Sequence, residues 1–76
     1  MTAREPKLRM RLALARNVRR FRKELGWSQE RLGEAAGLSQ VYISQIETGK
    51  TVASIDTFER LCLGLRKNAS ELLGSK

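Results

Sequence analysis

Gln40, Val41, Ser44, Gln45 and Thr48 recur at helical spacing and fall opposite Ile43 and Ile46. Burying the two isoleucines turns the other five outward. That outer face carries two carboxamides and no net charge, and it is short and narrow. Its chemistry is hydrogen bonding and apolar contact, which suits reading base edges in a DNA major groove. Bond-making chemistry has little to work with. The chain has no histidine, so a His-based nucleophile relay is excluded. Its one cysteine, Cys62, can close no internal disulfide, and without histidine it makes no structural zinc site. There are no clustered carboxylates and no phosphate-binding loop. No catalytic residue, metal or cofactor is expected, and the chain does not read as an enzyme. Cys62 is expected in the core as a small apolar residue, not as a redox sensor.

The elements that must position this face follow from the flanking sequence. Leu32, Gly33, Ala36 and Leu38 precede it at amphipathic spacing, and Gly37 sits at the break. Two short amphipathic helices meeting at a tight turn make a helix-turn-helix, placed here at about residues 28–48. Ser28 caps the first, with Glu30 in its opening turn where the helix dipole favours an acid. Arg31 stands where a capping box would have its acid. Gly37 ends that helix by accepting a left-handed conformation. Ser39 caps the second, which runs to about Glu47 or Thr48 and stops at Gly49. Upstream, Leu14, Val18, Phe21 and Leu25 keep the spacing of one buried helix face, and Met10 extends it by a turn. This first helix is expected from about residue 7 to Leu25, with Pro6 as a possible first helical residue and Gly26 as its stop. After a loop over 49–53, Ser54 caps a fourth helix with Ile55, Phe58, Leu61, Cys62 and Leu65 facing inward. Asn68 and Glu71 form a capping box for a last short helix carrying Leu72 and Leu73. β-Branched residues never alternate over a strand length. The expectation is all-α, a single domain over 1–76 with five helices and no sheet.

A chain of 76 residues buries a modest core, so its stability is expected to be marginal unless it dimerises. The net charge of +7 is segregated. Residues 1–23 hold nine basic residues against Glu5, whereas residues 24–76 hold six basic and seven acidic. A basic lobe on a near-neutral body points to a polyanionic partner, against the plainer reading of a solvated helix face. The four aromatic residues are scattered and do not make a single-strand stacking platform. Trp27 is expected to pack between helices. The N-terminus has no apolar run of signal-peptide type, and no stretch approaches the ~20 apolar residues of a membrane span. A reducing, cytoplasmic location is expected.

Residues from about Leu14 to Leu73 resemble the Cro/repressor-type helix-turn-helix family (the XRE, lambda-repressor-like family). The resemblance rests on VRRFRKELGWSQERL, EAAGLSQVYISQIETGK, SIDTFERLCLGL and NASELL in that order. It implies a compact five-helix domain that works as a dimer on a near-palindromic operator, with helix 3 as the reading helix. Gln40 then matches a position that contacts adenine bidentately, and a carboxamide fits adenine N6 and N7. Gln45 becomes a second base reader, Val41 packs on a thymine methyl, and Ser44 bonds to a base or a phosphate. Gln29 resembles a phosphate-gripping glutamine at a helix N-terminus. Thr48 and Lys50 resemble backbone-contacting loop residues. Tyr42 either covers the edge of helix 3 with its hydroxyl on a phosphate or only packs there. Arg22 and Glu47 match a structural ion pair. Gly33, Gly64 and Ala53 depart from the pattern, where alanine, alanine and proline are usual. Each glycine is expected to cost its helix about 1 kcal/mol.

Two features stay open at this level. Residues 1–11 form a basic extension that is either an arm around the duplex or an early start of helix 1. Arg4, Lys7 and Arg9 reach phosphates in both cases. Leu65, Leu72 and Leu73 either contact a second copy or close the monomer core. The leading expectation is a sequence-specific regulator of transcription on double-stranded DNA, a repressor or a restriction–modification controller. The alternative is an antitoxin-type module that holds a protein partner and also binds DNA. A membrane-surface binder is disfavoured, because the apolar stripe of helix 1 is needed for the core.

Overall fold

The computed structural model describes residues 6–74, with side-chain surroundings from Arg9 onward. Five helices follow one another: α1 Pro6–Glu24, α2 Gln29–Ala36, α3 Gln40–Glu47, α4 Ile55–Leu65 and α5 Ala69–Leu73. The described residues form no strand. Pro6 opens α1, and Gly26 closes the turn after it at φ 71°. Leu14, Val18 and Phe21 of α1 join Leu32, Ala36, Ile43, Ile46, Leu61, Leu65 and Leu72 in one core. The fold is an all-α, lambda-repressor-like five-helix domain.

Serines set the helix starts. Ser28, Ser39 and Ser54 each accept the backbone N–H three residues on, at 3.0, 3.1 and 3.1 Å. Asn68 and Glu71 form the capping box of α5: Asn68 Oδ1 accepts the Glu71 N–H at 2.8 Å, and Glu71 Oε1 accepts the Asn68 N–H at 2.9 Å. Gly37 ends α2 at φ 72° and sends the chain into α3. The approach of α2 to the turn before α3 is so close that a Cβ on Gly33 would lie 2.5 Å from the Leu38 carbonyl oxygen. Gly33 is therefore required by packing, which offsets the helix-propensity loss that the sequence alone suggests. Gly64 plays a milder version of this role, since a Cβ there would meet Ala36 at 3.1 Å.

Four expected core positions come out differently. Met10 and Leu25 are about half exposed. Met10 lies a turn upstream of the buried stripe, at the rim of an open groove that it shares with Phe58 and Leu73. Leu25 follows the last helical residue, where the 3.6-residue period no longer aims it inward. Ile55 is 80% exposed. As the first residue of α4 it precedes the turn that packs, and Thr57 takes the buried place instead. Cys62 is half-buried rather than buried, and burial together with nearby Glu59 pushes its thiol pKa up. The dimer expectation also divides: Leu65 and Leu72 are closed into the monomer core, and only Leu73 keeps accessible surface.

One buried polar side chain ties the two ends of the fold. Asn17 is completely buried on α1. Its amide donates to the carbonyl oxygens of Leu72 and Gly74, both at 2.8 Å. These are C-terminal carbonyls of α5 that the short helix cannot satisfy itself.

Candidate nucleic-acid interface

The exposed face of α3 is built from below. Ile43 and Ile46 are fully buried and fix the helix on α1 and α2. Gln40, Val41 and Gln45 then stand in solvent, Val41 at 68% exposure, with half-buried Ser44 between them. No charged side chain interrupts α3 before Glu47. The Ser39 cap leaves the other first-turn N–H groups of the helix facing outward.

The far end of α3 is locked to α1. Arg22 grips Glu47 bidentately, Nε to Oε2 at 2.6 Å and Nη2 to Oε1 at 3.0 Å. The third guanidinium nitrogen, Nη1, donates to the Trp27 carbonyl at 2.8 Å. The side chains of Arg22 and Glu47 are 12% and 4% exposed. The hydrogen bonds to Glu47 raise the Arg22 pKa beyond its already high ordinary value, against the opposing effect of burial. Gln29 joins the pair, its Nε2 donating to Glu47 Oε1 at 3.1 Å. That bond orients the carboxamide at the start of α2, beside the end of α3.

Three residues assigned to phosphates have internal partners. The Tyr42 hydroxyl shares a 3.2 Å hydrogen bond with Thr57 Oγ1, and the ring packs on the core. The Thr48 hydroxyl donates to the carbonyls of Ser44 and Gln45 at 3.0 and 3.2 Å. A phosphate oxygen only accepts, so Thr48 would have to give up that bond to reach one. Gln29 keeps its second amide hydrogen. Lys50 is exposed in the turn after Gly49.

Leu12 of α1 is brought near this end of the site. A Cβ on Gly49 would lie 3.2 Å from Leu12 Cδ2, and Arg9 is one turn upstream of Leu12 on the same side of α1. Arg9, Arg16, Arg19, Arg20 and Lys23 are all exposed and fall on the face of α1 opposite its buried stripe. The side chain of Lys7, on the first turn of α1, and all of Arg4 lie outside the described residues. Trp27 packs against the core, and the Arg31 guanidinium covers its ring at 4.6 Å from the centroid.

Sequence reasoning missed Asn17 and the Tyr42–Thr57 contact. A polar residue at a core-facing place between Leu14 and Phe21 was the available signal for Asn17. Nothing local marks the second contact. Among the described residues no group of acidic, cysteine or histidine side chains could hold a metal ion. No described helix is long and apolar enough to cross a membrane.

Known proteins share this fold. The chain is 36% identical over 64 residues to a hypothetical transcription factor of Neisseria meningitidis, an alignment covering 84% of this chain. The chain spans 60% of that relative's length. The crystal structure of the Neisseria transcription factor NHTF superposes with a TM-score of 0.80 at 34% identity, covering 96% of this chain and 85% of that one. The restriction-modification controller protein C.AhdI from Aeromonas hydrophila superposes with a TM-score of 0.77 at 27% identity, covering 82% and 94%. The helix-turn-helix family model HTH_3 matches residues 18–72, from the middle of α1 to Leu72 of α5. With the exposed face of α3 and the Arg22–Glu47 pair that locks it both inside that span, the chain belongs to the HTH_3 helix-turn-helix family.

Proposed function

We propose that this chain is a sequence-specific double-stranded DNA-binding regulator of transcription, a repressor or restriction–modification controller, with α3 in the major groove. One observation carries the reading: an uncharged hydrogen-bonding face, Gln40 to Gln45, stands exposed on two fully buried isoleucines. Gln40, Val41, Ser44 and Gln45 read bases in this account. Lys50, Arg9 and the oriented amide of Gln29 hold phosphates. Arg4 and Lys7 belong to the same basic extension. Tyr42 and Thr48 join only by exchanging their internal bonds. Arg22 and Glu47 touch no DNA and keep α3 in place.

Two copies on an inverted repeat would set their reading helices about one helical turn, ~34 Å, apart. A mostly apolar groove of about 220 Å³, lined by Met10, Arg11, Val52, Ile55, Phe58 and Leu73 among others, supports that pairing. Its rim exposes Met10, Val52 and Ile55. Val52 follows Lys50 by two residues, so the apolar face begins where the phosphate-facing turn ends. The antitoxin-type reading calls for an exposed apolar C-terminus; Leu72 is buried and Leu73 keeps part of its surface.

Selection from a random duplex pool tests the proposal. An inverted repeat should emerge, bound about 10³-fold or more over scrambled DNA. Gln40→Ala should relax specificity at one base pair per half-site by about 1–3 kcal/mol. Replacing Arg9 should weaken all sequences alike and flatten the log–log salt slope by about 0.9. If Gln40→Ala weakens selected and scrambled DNA equally, α3 is not the reading helix.

A further inference from the structure

The C-terminal ends of α1, α2 and α4 enclose a second, open groove of about 660 Å³. No residue of α3 or of the turn after it is among those that line this groove. Its floor is aromatic and apolar, from Phe21, Trp27 and Leu65. Leu25 and Leu63 form apolar lips, and Leu63 is 73% exposed. Large apolar side chains clustered in solvent mark interaction surfaces more than they mark a monomer's ordinary exterior.

The rim is cationic. Arg31, Arg66 and Lys67 face one acid, Glu24. Two of the cations lie over the floor, with Arg31 over Trp27 and Lys67 over Phe21, each 4.6 Å from the ring centroid. Their carboxylate partners are distant and partly exposed, Arg31 to Glu34 at 3.8 Å and Lys67 to Glu71 at 3.9 Å, and such pairs hold a cation weakly. Arg66 ends α4 in the left-handed region at φ 58° and is the only described non-glycine residue with positive φ. Glycine suits that backbone better. The chain has an arginine there, at the edge of the groove, and local strain of this kind collects at functional surfaces.

We propose that this groove docks an amphipathic helix of a partner protein, apolar on one face and flanked by Asp or Glu. Leucine-type anchors fill the space between Trp27, Leu63 and Leu65, and the acids meet Arg31, Arg66 and Lys67. The site is separate from α3, so a partner held there leaves the reading face open. The inference does not depend on the DNA-binding reading, and either can fail alone.

The test uses the whole chain and a synthetic helical peptide of glutamate and leucine, with a lysine–leucine peptide of the same pattern as its counterpart. Amide NMR should show shifts at the Trp27 indole and along Leu63 to Lys67 with the acidic peptide only. Leu63→Ser and Arg66→Gly should each weaken binding about fivefold or more. Arg16→Ser, which removes a cation outside the groove, should leave it unchanged. Arg66→Gly relieves the left-handed arginine, so its loss of binding is not loss of fold. The proposal is overturned by shifts spread over the basic face of α1, by equal weakening in Arg16→Ser, or by equal binding of the lysine peptide. Protection of the same residues by phosphatidylglycerol vesicles, with no effect of the acidic peptide, also overturns it and assigns the groove to lipid.

Discussion

At the scale of single residues, the exposed face of α3 and the ion pair that locks it have different physics. Under the proposed function the exposed Gln40 and Gln45 act through contacts with a partner. Glu47 is almost wholly buried and carries three hydrogen bonds, from Arg22 Nε, Arg22 Nη2 and Gln29 Nε2. Removing it leaves a mostly buried guanidinium with two of its three hydrogen bonds unmade. Glu47→Ala should therefore destabilise the fold by roughly 3 kcal/mol or more in a denaturant melt. An unchanged midpoint would mean that the pair contributes nothing net. Acid titration of the wild type cannot substitute for the mutation through Arg22. A raised pKa contributes stability that is fully present below the unfolded value and lost only as pH climbs through the folded one, here beyond the alkaline limit of ordinary melts. Cys62 obeys the same sign: raised by burial and by Glu59, its thiol stays protonated at neutral pH and is a poor nucleophile.

At the scale of elements, what was legible in the sequence was what is decided locally. The caps at Ser28, Ser39, Ser54 and Asn68 need only the next three residues, and each forms as its sequence context predicts. The outward turn of Gln40 and Gln45 follows from the period set by Ile43 and Ile46. Periodicity misplaced Leu25 and Ile55 because both sit at helix ends, where neighbouring elements no longer cover the stripe. It could not foresee internal partners for Tyr42 and Thr48, which depend on how α3 packs and how its last turn closes. Asn17 is the sharpest example, since its partners lie 55 and 57 residues away. That bond has a measurable consequence. Asn17→Ala leaves the carbonyls of Leu72 and Gly74, at the end of α5, without their donor and opens a space in the core. A loss of about 1–3 kcal/mol is expected. Amide exchange in α5 should accelerate well before exchange in α2 or α3. Uniform acceleration would show that α5 is not separately tethered.

At the scale of the whole molecule, charge and apolar surface are sorted onto different sides. The outer face of α1 is a run of cations, Arg9 to Lys23, whereas the groove beside Ile55 and Val52 is mostly apolar, with Arg11 its one charged lining residue. A cationic face supplies attraction to any duplex, weakening as salt rises. It cannot by itself choose a sequence, and one short reading helix chooses only a half-site. Pairing two copies through the apolar groove would add the second half-site as an intramolecular event, a gain of about 10²–10⁴-fold without any new base contact. Ile55 isolates that contribution. At 80% exposure it adds little to the monomer fold, so Ile55→Glu should shift monomer stability by no more than about 0.5 kcal/mol. Placed on both sides of a two-fold contact, the new carboxylates would face each other and a mostly apolar surface. Sedimentation should then show monomers. Binding to a full inverted repeat should weaken about 10²-fold, with the affinity for an isolated half-site unchanged. Dimers that persist in this variant would move the pairing surface away from the groove and leave the reading face on α3 untouched.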